Sequence, residues 1–149
     1  MSASADGHER VRPRQRRRAR VLAFQTLYEA DISAHPPLEV LHRLVEETRP
    51  DPAAHDYAEE LVRGVVQWRG EIDAQIARFA RAWPIDQMAA VDRNVLRLGV
   101  FEAIYNSHTI PVGVAISEAV ELAKQFGSEQ SSRLINGVLR RVATEPHDD

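Results

Sequence analysis

Apolar residues recur at three- and four-residue intervals along almost the whole chain, and that spacing predicts helices rather than strands. The first stripe is Val21, Leu22, Phe24, Leu27, Tyr28 and Ile32, on a helix whose pattern starts near Gln15 and whose entrance suits Pro13. His35-Pro36-Pro37 breaks it. Leu38, Leu41, Leu44 and Val45 then mark a short amphipathic helix ending before Pro50. A longer helical region opens at Asp51-Pro52 and carries Tyr57, Ala58, Leu61, Val62, Val65, Val66, Ile72, Ile76 and Phe79, with Gly64 and Gly70 either dividing it or admitting a close neighbour. Trp83-Pro84 closes that region.

From Val91 to Tyr105 the apolar positions Val91, Val95, Leu96, Leu98, Val100, Phe101, Ile104 and Tyr105 run nearly all round, as on a central helix with little solvent-facing surface. Pro111 starts another helix through Ala115, Ile116, Ala119, Val120, Ala123 and Phe126, and Gly127 reads as a left-handed residue that stops it. Ser128 caps a last helix carrying Leu134, Ile135, Val138, Leu139 and Val142. Within it, Gly137 costs up to about 1 kcal/mol against alanine, which a close helix crossing would explain, and Asn136 needs partners if buried. No sustained alternation indicates a strand. The expected fold class is all-α, a compact bundle of six to seven helices around one core or two small sub-bundles. Residues 1–13 are expected to form a disordered basic arm, 14–145 one domain and 146–149 a tail.

Composition removes whole classes of chemistry. With 149 residues and no cysteine, the chain offers one ordinary domain and no disulfide, thiolate zinc site or cysteine nucleophile. No apolar run approaches the roughly 18 residues that cross a bilayer, so a cytoplasmic protein without a membrane segment is expected. The six histidines lie in different segments without metal-ligand spacing, and no HExxH, GxSxG or P-loop occurs. Glu118, Glu121 and Lys124 read as charge pairs on a solvated helix face. Neither catalysis nor a cofactor is indicated.

The net charge of −3 hides an uneven distribution. Residues 10–20 hold seven arginines and no acid, the first nine residues carry −2, and residues 21–149 carry −8. Cations at the start of a helix oppose its dipole, so folding alone does not account for them. Arg16, Arg17, Arg18 and Arg20, followed on the same helix by Phe24 and Tyr28, combine phosphate-binding forks with aromatic rings. Single-stranded RNA suits that chemistry best, because its phosphates take guanidinium groups and its unpaired bases stack. The competing reading is a solvated basic helix end above a core containing Phe24. Phe24 is assigned to the core, and Tyr28 stays open between core and contact.

Arg16-Arg17-Arg18-Ala19-Arg20 leading into Ala23-Phe24-Gln25-Thr26-Leu27-Tyr28 resembles the amino-terminal signature of the NusB family of bacterial transcription antitermination factors. Three further blocks resemble the family in order. They are Asp92-Arg93-Asn94-Val95-Leu96-Arg97-Leu98 with Phe101-Glu102, then Ile110-Pro111-Val112 leading to Ala115-Ile116-Ser117-Glu118-Ala119-Val120-Glu121-Leu122-Ala123-Lys124, and finally Phe126-Gly127-Ser128-Glu129 to Asn136-Gly137-Val138-Leu139. The resemblance covers residues 14 to 142 and is weakest between 34 and 85. It implies a non-enzymatic RNA-binding factor of two helical sub-bundles that pairs with the ribosomal protein NusE, binds boxA RNA in ribosomal-RNA leader transcripts and joins the RNA polymerase antitermination complex. By the same resemblance Arg16, Arg17, Arg18 and Arg20 contact RNA, with Arg97, Lys124 and Arg133 nearby. Tyr28 and Asp92 match a partner-facing or RNA-bordering surface. Gln130, in Glu129-Gln130-Ser131, replaces an acid often found in the family, which alters that corner of the partner contact. The last block also resembles the amino-terminal domain of ribosomal-RNA cytosine methyltransferases, an alternative that requires the sequence to be a fragment. A third reading is a protein-docking module without RNA specificity.

Overall fold

Prolines and side-chain caps set the helix boundaries. The structure is a computed structural model and describes residues 11–145, so the expected tail and all but the end of the expected basic arm lie outside the described residues. Six α-helices follow one another among the described residues: α1 Pro13–Ser33, α2 Pro37–Thr48, α3 Pro52–Phe79, α4 Ala90–Val100, α5 Val112–Phe126 and α6 Glu129–Thr144. A π-helical segment, Phe101–Tyr105, continues α4. No strand occurs among the described residues, in agreement with the all-α expectation. None of these helices is long and apolar enough to cross a membrane.

The chain divides into two compact units, with the boundary between Arg63 and Gly64 inside α3. In the first unit, Pro13 occupies the first turn of α1, where its missing N–H costs nothing, and Gln15 Oε1 accepts the Arg12 backbone N–H at 2.9 Å. Ala34 ends α1 in the left-handed region at φ 63° and donates its N–H to the Ala30 carbonyl. Asp51 Oδ1 caps α3 by accepting the Ala54 N–H at 2.9 Å, and also accepts Gln15 Nε2 at 3.5 Å. One α1 side chain, Gln15, therefore serves two helix starts, its own and, through Asp51, that of α3. The core of this unit is built from Leu22, Ala23, Phe24, Leu27, Val40, Leu41, Tyr57, Ala58, Leu61 and Val62. Arg43 of α2 ties the surface together by bonding Glu29 on α1 and Glu47 on its own helix.

The second unit packs α4, α5 and α6 against one another, and every residue from Asn94 to Ala103 is buried. That is the all-round apolar segment expected from sequence. The packing is close enough to demand glycine twice: a Cβ on Gly99 would lie 2.7 Å from Leu139 Cδ1, and one on Gly64 would lie 2.2 Å from the Phe101 ring. Gly70 meets nothing, and α3 instead departs from helical geometry at Trp68, whose φ and ψ are −105° and 16°. The Trp68 ring stacks on Tyr105 at 5.2 Å between centroids.

Two glycine expectations are corrected. Gly127 follows α5 in an extended conformation, φ −107° and ψ −162°, not a left-handed one. Its small size is needed because Ser131 Oγ, which accepts the Ser128 N–H at 3.0 Å, would lie 2.6 Å from a Cβ there. Gly137 is exposed and a Cβ would meet nothing within 4 Å, so no helix crossing accounts for it. Asn136 is half-buried, and its Oδ1 accepts Arg140 Nε at 3.0 Å.

Candidate nucleic-acid interface

The arginine run on α1 divides by helical register. Successive residues turn by about 100°, so Arg14, Arg17 and Arg18 share one face, whereas Arg16 and Arg20 fall on the stripe of Ala23, Leu27 and Ala30. The structure follows that division. Arg14, Arg17 and Arg18 are exposed, and Arg12 beside them is exposed as well. Arg16 is half-buried with its guanidinium 5.7 Å from the centre of the Tyr57 ring, a cation–π contact within the first unit. Arg20 is buried with the core. No acid occupies the first turn of α1, so the outward guanidinium groups and the positive end of the helix dipole reinforce one another as a site for anions.

Further along α1, Phe24 is 3% exposed and belongs to the core, as assigned. Tyr28 is half-buried, its ring centre 5.9 Å from that of Phe24, and so keeps one edge toward solvent. The ring is thus partly packed on the core and partly open to solvent.

In the second unit the expected contact residues have different fates. Arg97 is only 4% exposed and is gripped by Asp73, whose carboxylate accepts Nε at 2.9 Å and Nη2 at 3.2 Å. Asn94 Oδ1 takes Nη1 at 3.1 Å, and Arg69 Nε donates to the same Asp73 at 3.1 Å. Arg97 is thus a buried structural cation, and its expected role in RNA contact is corrected on that ground. Lys124 is exposed, with Nζ 3.6 Å from Glu121 Oε2, an exposed pair of little energetic weight. Arg133 and Gln130 are exposed on the first turns of α6. Asp92 is half-buried in the first turn of α4, where its charge suits the helix dipole, and its Oδ1 is shielded from solvent without a hydrogen bond.

Sequence reasoning left out Arg14, which completes the outward face of α1. It also passed over a shallow groove of about 310 Å³ in the second unit, lined by Arg81 and Trp83 on one side and Arg133, Gly137 and Arg141 on the other. Both had a signal. Arg14 is four residues before Arg18, and Arg133, Gly137 and Arg141 are spaced by fours. No group of His, Asp or Glu among the described residues could hold a metal ion.

Comparison with known proteins adds an independent line. Residues 17–144 match the NusB family. The chain belongs to that family. It is 44% identical over 128 residues to the transcription antitermination protein NusB of Dehalococcoides mccartyi (strain ATCC BAA-2266 / KCTC 15142 / 195), covering 86% of this chain and 89% of that one. To its counterpart in Myxococcus xanthus it is 46% identical over 132 residues, covering 86% and 94%. Among solved structures it is similar to one of the antitermination factors NusB and NusE in complex with dsRNA, with a TM-score of 0.81, 34% identity, and coverage of 89% of this chain and 98% of that one. The solution structure of NusB from Aquifex aeolicus matches with a TM-score of 0.75 and 32% identity over 91% of this chain and 95% of that one.

Proposed function

We propose that the protein is a transcription antitermination factor: a non-enzymatic, cytoplasmic RNA-binding protein that pairs with NusE, binds boxA-like single-stranded RNA of ribosomal-RNA leaders and acts within the RNA polymerase antitermination complex. The observation that carries this reading is the outward face of α1, where Arg14, Arg17 and Arg18 stand exposed at a helix start with no acid in its first turn. Those groups meet phosphates, and on the second unit, taken by itself, Lys124 and Arg133 are the RNA contacts. Arg16 and Arg20 act indirectly, by seating the helix that presents the other three. Tyr28, Asp92 and Gln130 border NusE.

The antitermination proteins named above match over 89% and 94% of their own lengths, which favours this reading over the methyltransferase fragment. A protein-docking module without RNA specificity is separated by titration. The protein should bind a boxA-containing single strand more tightly than a duplex of the same sequence, and the duplex is the informative control because one of the similar structures holds dsRNA. Adding NusE should tighten binding to the single strand. Equal affinity for an unrelated acidic peptide, with no gain from NusE, would favour the docking module.

A further inference from the structure

Trp83 is the most conspicuous side chain that the reading above leaves unused: more than half of its surface, 56%, is open to water. It stands at the mouth of the groove formed with Phe79, Arg81, Leu134, Gly137 and Arg141, and Arg133 completes the rim. Three of the lining residues are arginines and none is acidic. Arg81 Nε donates to the Arg78 carbonyl at 3.3 Å, and none of Arg81, Arg133 and Arg141 forms an ion pair among the described residues. An apolar floor with an exposed indole and three cations without carboxylate partners among the described residues is complementary to a planar base carried between phosphates. A purely apolar partner would leave the three charges uncompensated as it covered them.

Gly137 supplies a second, independent observation. Nothing within 4 Å would oppose a side chain there, so the glycine costs α6 helix stability without relieving any clash. What it does is keep the groove open to the helix backbone.

We infer that this groove is an additional single-stranded RNA subsite, in which one base stacks on Trp83 while adjacent phosphates meet Arg81, Arg133 and Arg141. The inference rests on the RNA-binding function proposed above and extends it to Trp83, Arg81 and Arg141. Base stacking on an aromatic ring tolerates any base, so the subsite adds affinity and length dependence rather than sequence choice.

The test uses the full chain and a single-stranded 12-nucleotide oligouridylate. Adding the RNA should quench tryptophan emission in the parent and in Trp68→Phe, and the quench should vanish in Trp83→Ala. Trp83→Ala should weaken binding roughly 5- to 100-fold, with helical circular dichroism unchanged because the ring is exposed. Gly137→Leu, which fills the groove and favours the helix, should weaken binding in the same direction while raising the thermal midpoint. Replacing Arg133 and Arg141 together by glutamine should make the logarithmic salt slope shallower by about 1.4, at roughly 0.7 per phosphate contact on a single strand. If the parent binds and both Trp83→Ala and Gly137→Leu bind within twofold of it, the subsite is disproved and the wider RNA reading survives. A parent that binds no single-stranded RNA overturns both. Trp83-dependent quenching by oligoglutamate equal to that by RNA overturns the subsite in favour of an acidic protein partner.

Discussion

The same guanidinium group has opposite fates at the start of α1 and on α4. Along α1, Arg14, Arg17 and Arg18 project into solvent from a helix end that already repels cations. On α4, Arg97 lies 4% exposed between Asp73 and Asn94, with each of its three nitrogens donating a hydrogen bond. One arrangement presents positive charge at the surface; the other buries it to hold helices of one unit together. The difference teaches that an arginine in a family motif is a contact candidate only after its helical register has been consulted.

The comparison is broken most severely at Arg97. Arg97→Ala leaves Asp73 facing a buried void and Arg69 as its remaining partner, and should cost about 3–5 kcal/mol, the usual penalty for removing one member of a buried pair. Urea unfolding measures it, and oligoribonucleotide affinity measured well below the transition should stay within twofold of the parent. A stable Arg97→Ala protein with lost RNA affinity would reverse the assignment.

A smaller effect is expected at Gly99, in the same buried stretch of α4. Gly99→Ala drives a methyl group to 2.7 Å from Leu139 and 3.2 Å from Ala119 and should cost about 1–3 kcal/mol by thermal unfolding. Equal stability would mean that α4, α5 and α6 are less tightly packed than described.

The smallest effect concerns the edge of that packing. Burial raises the Tyr105 hydroxyl above its ordinary value, and the Glu71 carboxylate, which accepts its hydrogen bond at 3.2 Å, raises it further against the opposing bond from Gln75. Because the folded value is the higher one, the stabilisation is fully present below the ordinary tyrosine range and is lost as pH rises through the raised value. Ultraviolet absorbance should therefore show Tyr105 ionising at higher pH than a model phenol, and Glu71→Gln should bring it down. No change in Glu71→Gln would contradict the contact.

Much of this molecule was legible in the amino-acid order. Helix positions were, because apolar residues repeat with the helical period and Pro13, Pro37, Asp51-Pro52 and Pro111 sit at the breaks. The division at Gly64 was legible only as one of two readings, since Gly64 and Gly70 both interrupt the pattern while α3 carries its apolar stripe straight across the boundary. Gly127 misled because a glycine after a helix usually signals backbone handedness, whereas here the constraint is the space taken by Ser131. Gly137 misled for the opposite reason: a costly glycine suggested close packing, and the space beside it is open. The π-helical turn left no pattern in side-chain type, because it arises from backbone bonds that reach one residue further than in an α-helix, among them Asn106 N–H to the Phe101 carbonyl at 3.0 Å. At the candidate interface, clustering pointed to the start of α1, and only the helical register separated outward arginines from inward ones. For Arg97 the missing fact was tertiary, since Asp73 lies 24 residues earlier and nothing local announces the pair.

The claim that α1 meets RNA through its outward arginines is tested most directly by salt titration of binding to a single-stranded boxA RNA, comparing the parent with a variant carrying Arg14→Gln, Arg17→Gln and Arg18→Gln. The slope of log K against log salt should become shallower by about 2 in the variant, three contacts at roughly 0.7 each, with the folding free energy changed by less than about 0.5 kcal/mol. A variant that keeps both the parent slope and the parent affinity would contradict the assignment.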